Sequence, residues 1–464
     1  MSNGRVDTMN ALPEAALTAH LGRLQQRPIA AATRERLAQA MLDWFTAGWA
    51  AADLPAAATL RQVAADSVPG PGPAAVFGGA ARQPLGAGFA NAGIAHLREI
   101  DDAHRAAMLH PGVVAISPVL ALAAARPMAL RRVADAVIAG YEVALRVGEA
   151  LGARHAASFH ATATAGSVGA AAASAVALGL PADQLHHAMG IAATQAAGLW
   201  QLVDDEAHES KSLHPAFAVR NGLMAAWAAR AGLPGARAFV SGRRGLHALL
   251  AGDGPLAALD GELGAAERIN TTTIKAWPCC AQLFTPLDAA RALLDEHRFA
   301  PGDIEAVQVV IYPHALKIAG VLWPRKPAET PFSLRYVLAM LLGRGALGIA
   351  DMETPELEAP ALTALAARIH VATDDDFQRA FPHKRPSRVT VTLKDGRSFS
   401  AYRELRRGDP EDPFTWPQLQ QRLRSFVPAL EDATAARLTR WCEAFADAGR
   451  DAETCSPEPA LFGG

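Results

Sequence analysis

An excess of charge of either sign is missing from this sequence. Its 44 Lys and Arg stand against 46 Asp and Glu, a formal net charge of -2. A nucleic-acid partner would need a basic face, so none is expected. Cysteine is sparse: Cys279, Cys280, Cys442 and Cys455 are the whole complement. The first two are adjacent rather than spaced as CxxC, and no second pair stands at metal-ligand spacing. A disulfide framework is not expected at this size and count; reduced thiols in a cytoplasm are the simple reading. Long apolar runs are also lacking. The most apolar stretch, Ala165 to Leu180, is mostly Ala, Gly, Ser and Val. It is too short and too weakly hydrophobic for a membrane span, and reads as a buried helix. The first residues carry no basic start followed by an apolar run, so no secretory signal is expected. No Gly-rich nucleotide loop precedes a Lys-Ser/Thr pair, and no HExxH helix occurs. The sequence offers no anchor for a nicotinamide, a flavin or a metal.

What is present suits helices. Half of the 464 residues are hydrophobic, Ala is abundant, and aromatics are 6%. That balance predicts a mainly helical protein with close-packed small side chains, long enough for two domains. Leu12 to Ala65 reads as two helices separated by Pro28, with Leu17, Leu21 and Leu24 and then Leu37, Met41 and Trp44 at helical spacing. The Pro/Gly-rich segment Ser67 to Pro73 reads as a surface loop. Gly86 to Leu250 is again helical in character. Its Ala/Gly-rich centre, Gly169 to Ser174, lets helix axes approach closely, and Gly179 and Pro181 end that helix.

The texture changes after about Glu267. β-branched alternation appears in Ala306–Tyr312, Arg368–Val371 and Ser387–Leu393. Lys394-Asp395-Gly396-Arg397 reads as a tight hairpin turn into a returning strand, Ser398 to Tyr402. Helical patterns resume at Trp416–Phe426 and Ala433–Ala448, and the tail Thr454–Gly464 is expected to be loose. The expected architecture is a helical domain built from both chain ends, residues 1–267 and 406–464. A smaller α+β lid domain, residues 268–405, is inserted into it.

Four stretches concentrate ionisable residues. Asn91 to Pro111 holds Glu99, Asp101, Asp102, His104 and His110, groups close enough in sequence to share protons; the plainer reading is a solvated helix face with a capping Asp. Ser158 to Gly166 places His160 at the mouth of a helix N-terminus, where the dipole disfavours imidazolium and free N–H groups favour a carboxylate. There the plainer reading has Thr162 or Thr164 capping the helix. Glu209 to Pro215 sets Lys211 and His214 three apart, on one face if helical. Ile274 to Cys280 puts Lys275 beside an aromatic-Pro turn at the proposed domain junction, where ligand clefts tend to form. Either lysine alone would ordinarily be a solvated side chain.

In this order and spacing the four stretches resemble the MmgE/PrpD family. The resemblance runs from about Leu12 to about Phe426. Its most specific parts are Gly140-Tyr141-Glu142-Val143, Phe159-His160-Ala161-Thr162, Lys211-Ser212-Leu213-His214-Pro215 with Asn221-Gly222, and Lys275-Ala276-Trp277-Pro278. Phe332-Ser333-Leu334-Arg335-Tyr336 resembles the family's FSxxY stretch. The resemblance implies a helical domain plus a smaller α+β lid, a homodimer, an active site between the domains, no cofactor and no required metal. It implies a pocket containing Asp101, His110, His160, Lys211 and Lys275. Glu99, Asp102, His104, Thr162, His214, Cys280 and Arg325 are the candidate substrate contacts. Departures are visible. Glu99 stands where an Asp is commoner, Ala103 where a Thr is usual, Phe284 where many bacterial members carry a His, and Cys280 where the decarboxylases carry one.

Members of this family remove a proton next to a carboxylate of a small di- or tricarboxylate. Deprotonation there sets two negative charges together, so a base and fixed positive charge are required. Within that pocket His160 is the expected base, with His110 or an acid from Asp101/Asp102 as the proton donor. Lys211, Lys275 and Arg325 would be the cationic clamp. A 2-methylcitrate dehydratase-like hydro-lyase ranks first. An epimerase or a decarboxylase on the same scaffold follows, and a non-catalytic binding protein is the rival of another class.

Overall fold

The computed structural model describes residues 12–381, 383–447 and 454–463. The reading of the extreme N-terminus falls on residues 1–11, outside that range. The chain is mainly helical, as its composition predicts, and divides into two compact units. The first holds the chain up to Thr273 and again from Trp416; the second is Ile274–Thr415.

The first unit opens with α1 (Pro13–Gln26), α2 (Ala31–Ala51) and α3 (Pro55–Ser67). Three helices thus stand where the spacing predicts two. Pro55 begins the third, pre-set for a helical start, and is a boundary signal of the same kind as Pro28. A small hairpin follows, β1 (Ala74–Val76) and β2 (Gly79–Arg82), then α4 (Pro84–His96), α5 (Pro111–Ala125), α6 (Leu130–Ala156), α7 (Ala161–Ala177), α8 (Ala182–Ala193) and α9 (Leu213–Arg230). Helix α7 is central, packing on α5, α6, α8 and α9. All its residues are buried. Small side chains make this possible. A Cβ on Gly140 would lie 2.7 Å from Ala115 Cβ and 2.9 Å from Ala173 Cβ, closer than carbon atoms can pack, so any larger residue would push α6 off both neighbours.

One group of aromatic residues packs together in the first unit. Trp44 and Phe45 of α2 meet Phe77 and Phe462 at ring-centroid distances of 5.0 to 6.1 Å, mostly edge-on or tilted. Each such pair adds about 0.5–1.5 kcal/mol beyond area burial. Phe462 lies in the expected loose tail, so that expectation is corrected. Leu461 and Phe462 are buried, and Trp49 Nε1 donates to Leu461 O at 2.9 Å. Cys455 is buried on a short strand that pairs with β3 (Met128–Ala129).

The second unit contains α10 (Phe284–Glu296), β4 (Ile304–Ile311), α11 (Leu334–Arg344), β5 (Ile369–Thr373), β6 (Ser387–Leu393) and β7 (Ser398–Arg403). The four strands form one sheet in the order β5-β4-β6-β7. β4 and β5 are parallel; β6 is antiparallel to β4 and β7. Period-2 alternation buries Val307, Val309, Ile311, Val389 and Val391 against α10 and α11. The 394–397 turn joins β6 and β7 as the sequence predicts. The chain returns to the first unit through α12 (Trp416–Phe426) and α13 (Asp432–Glu443). Among the described residues, no helix is long and apolar enough to cross a membrane.

Candidate active site

The site lies in the first unit, where the chain enters α5 and α7. Helix α4 ends at His96, and the following segment to His110 is not helical. A solvated helix face is therefore not what Asn91 to Pro111 makes. Its backbone turns instead: Glu99 takes φ 52, and Asp101 and Asp102 are each 1% exposed. His110 immediately precedes α5, whose first residue is Pro111, and His160 immediately precedes α7. Neither helix is capped by a side chain. Thr162 and Thr164 do other work. Thr162 Oγ1 accepts the His110 backbone N–H at 3.1 Å, tying the two helix starts together, while Thr164 Oγ1 meets His155 Nε2 at 2.9 Å.

Asp101 is the hub. Its Oδ2 lies 2.9 Å from His96 Nδ1 and 3.2 Å from His110 Nδ1. Burial would raise its carboxyl, but the His110 and His96 charges and hydrogen bonds outweigh that and hold it well below the usual range. The rings of His96 and His110 are edge-on at 4.7 Å. His96 and His160 are stacked at 5.5 Å. His160 Nδ1 is 3.1 Å from His214 Nδ1, so one ring donates and the other accepts. Trp200 packs on His160 at 4.8 Å. Burial lowers the His160 imidazole well below its ordinary value, helped by the nearby charges of Lys211, His96, His110 and His214. His214 is pushed down to about 4, again chiefly by burial. Both are neutral at pH 7.

Lys211 sits on a short 3-10 turn, His208–Ser212, that runs into α9. Its ammonium pairs with the Glu99 carboxylate and lies 5.6 Å from the centre of the Trp200 ring. Glu99 is half exposed, so this pair is a modest one.

Beneath the hub lies a buried charge network. Asp102 Oδ1 accepts the Gly112 N–H at 2.8 Å, and its Oδ2 accepts the Tyr141 hydroxyl at 2.8 Å. A Cβ on Gly112 would stand 2.7 Å from that Oδ1, so only glycine lets the carboxylate approach the helix start so closely. Arg422, from α12, bonds Asp43 of α2 at 2.8 Å and donates to Ile100 O at 2.8 Å. Both side chains are under 5% exposed. Three carboxyls thus crowd one guanidinium. Asp102 is raised to about 7 by burial and then by Asp43; Asp43 is raised to about 6 by burial, offset in part by Arg422. The Gly140–Val143 stretch now has a physical account. Gly140 permits helix contact and Tyr141 holds Asp102. Glu142 holds Arg146 at 2.6 Å and the Arg268 backbone N–H at 2.8 Å.

Asp101, His110, His160, His214, Thr162, Lys211, Glu99 and Asp102 are thus brought together in one unit. His104 points elsewhere. Its Nδ1 accepts the Ala107 N–H at 3.0 Å, and its Nε2 faces Thr271 Oγ1 at 3.0 Å. Burial and the charges of Arg268 and Arg105 lower it to about 3. Lys275, Cys280 and Arg325 belong to the second unit. Lys275 and Cys280 are half-buried there, beside Trp277, whose Nε1 donates to Asp288 at 2.8 Å. Arg325 is exposed. Phe284 is fully buried in that unit, at the start of α10.

Sequence reasoning passed over His96, Trp200, Asp43 and Arg422, and gave Tyr141 no role of its own. For His96 a signal existed: it stands five residues before Asp101 in a stretch already rich in acids and imidazoles. Arg422 carried none, because its partners lie more than 300 residues away.

The chain is 25% identical over 429 residues to a cis-aconitate decarboxylase from Aspergillus terreus, covering 87% of this chain and 86% of the relative. A second cis-aconitate decarboxylase, from Aspergillus terreus strain NIH 2624, is 26% identical over the same coverage. A cis-aconitate decarboxylase-like protein oryM from Aspergillus oryzae is 31% identical over 231 residues, 47% of each chain. Residues 15–258 match the MmgE/PrpD N-terminal domain and residues 277–444 the MmgE/PrpD C-terminal domain. The chain belongs to the MmgE/PrpD family.

Proposed function

We propose that this chain is a lyase that acts on a small di- or tricarboxylate through proton transfer at a carbon next to a carboxylate. The observation that carries this reading is the cluster of imidazoles around Asp101, at the starts of α5 and α7, with an ammonium group alongside. Free N–H groups and the helix dipoles favour a bound carboxylate there. Lys211 is the fixed positive charge; on binding, a substrate carboxylate takes over from Glu99 as its partner.

His160 is the base. In the free site its proton affinity is held down by burial and by nearby positive charge. A polyanionic substrate offsets that charge and so strengthens the base when it is needed. His110, with Asp101 behind its Nδ1, is the proton donor. His96 shares Asp101 and orients it. Lys275, Cys280 and Arg325 remain candidates on the family resemblance alone, as do the homodimer and the absence of any cofactor requirement.

A hydro-lyase is the first reading, because dehydration needs both a base for the α-hydrogen and an acid for the departing hydroxyl, and this site offers one of each. A carboxy-lyase is the second, favoured by the names of the fungal relatives. Incubation in deuterated water with a panel of di- and tricarboxylates separates the readings. Dehydration gives a rising double-bond absorbance without CO2, decarboxylation releases CO2, and epimerisation gives only deuterium uptake. A His160→Ala variant that exchanges deuterium as fast as wild type would remove the base assignment. Conversion no faster than the protein-free background, the same for wild type, His160→Ala and Lys211→Ala, would favour a binding protein.

A further inference from the structure

We propose that His96, His110 and His160 form a binding site for a zinc-class divalent cation, and that an ion seated there switches the enzyme off. The inhibition rests on the proposed proton-transfer role of His110 and His160; the binding does not.

Each of the three imidazoles offers a ligand nitrogen, and the three nitrogens lie within 4.8 Å of one another. Tetrahedral coordination at about 2.0–2.1 Å sets nitrogens roughly 3.4 Å apart, so the rings need close by on the order of 1 Å. His96 supplies the independent observation. Its side chain is fully buried, Nδ1 is taken by Asp101, and Nε2 is buried with no hydrogen-bond partner. A buried ring nitrogen left without a partner is a costly arrangement, and a cation would satisfy it. Asp101 does for His96 what a carboxylate does behind a metal-bound histidine. By taking Nδ1–H it leaves Nε2 with a free lone pair and fixes the ring orientation. Its second oxygen, Oδ1, is also buried without a partner.

Ligand chemistry selects the ion. Three imidazoles with no thiolate suit zinc, cobalt, nickel or copper, whereas magnesium and calcium demand oxygen donors. Lys211 opposes a second cation, but its charge is already matched by Glu99. Once bound, the ion holds the lone pairs that would carry the substrate's proton. The expected effect is therefore inhibition that excess substrate relieves, not activation.

The test uses the full chain freed of any histidine tag and stripped with a chelator. Titration with Co2+ is followed by calorimetry and by the visible absorption of a four-coordinate ion. One ion per chain is expected, with affinity in the micromolar range or tighter, and Zn2+ should displace it. His96→Asn should weaken binding at least tenfold. Asp101→Asn, which keeps every ligand, should weaken it by about 10–100-fold. A Cys279→Ser/Cys280→Ser double variant should bind as wild type does. Thermal melts identify any variant that fails to fold. No binding by wild type would overturn the proposal, as would undiminished binding by folded His96→Asn and Asp101→Asn. So would an ion that accelerates turnover. If Co2+ binds but no carboxylate is ever turned over, the site stands and the lyase reading falls.

Discussion

The two units bury their interiors on different principles. The second is an ordinary sheet-and-helix core. Val307, Val309, Val389 and Val391 are fully buried among Leu, Ala and Ile, and its candidate residues Lys275, Cys280 and Arg325 are half-buried or exposed. The first packs Ala/Gly-rich helices so tightly that it encloses titratable groups. Asp43, Asp101, Asp102, His96, His160 and Arg422 are each at most 5% exposed. Buried charge of this density costs stability unless each group is paired. The difference is one of degree and kind: the second unit buries an isolated Arg406–Asp409 pair and Asp288 beside its apolar core, whereas the first encloses a connected cluster of acids and imidazoles.

The comparison can be broken at its strongest point first. His160→Ala should lower turnover by roughly 100- to 10,000-fold with little change in melting temperature, the usual range for a general base. Steady-state kinetics beside a thermal melt checks both halves; a large loss of stability would mean that His160 is structural. Arg422→Ala leaves Asp43 buried and unpaired and should destabilise by about 3–5 kcal/mol, measured by urea unfolding. Leu338→Ala in α11, fully buried in the second unit, should cost about 2–5 kcal/mol through cavity formation, with kcat unchanged at saturating substrate. A strong effect on kcat would blur the contrast between the units.

The smallest effect concerns pH. The folded pKa of Asp102, about 7, lies above its ordinary 3.8. Such a group contributes stability that is complete below pH 3.8 and is lost as pH rises through 7. Asp102→Asn removes that dependence. Between pH 5 and 8 the melting temperature of wild type should therefore fall relative to that of the variant. A constant gap between the two curves would show that Asp102 is ionised throughout.

Much of this was legible in advance. The hairpin at 394–397 and the strands beside it follow from β-branched alternation, a signal contained within a few residues. Helix α7 announces itself by small residues and a clean Gly179 stop. His110, His160, Asp101 and Lys211 stood out only through the ordered set of family-like stretches, since each stretch alone had a plainer reading. His96 escaped because a histidine in the last turn of a helix is ordinarily a surface residue favoured by the dipole. The tail escaped because Leu461 and Phe462 belong to no periodic pattern; only the aromatic pocket made by Trp44, Phe45 and Phe77 orders them.

By itself, then, the sequence determined the helical character, the strands, the family and the types of group available for chemistry, since these depend on local pattern and ordered motifs. Tertiary structure alone decided that Asp101 would face two imidazoles, that Asp102 would hold its proton near neutrality, and that an arginine from the last helical segment would brace the acidic loop. Those outcomes depend on distance and desolvation between residues far apart in the chain, and neither quantity is written in the order of the residues.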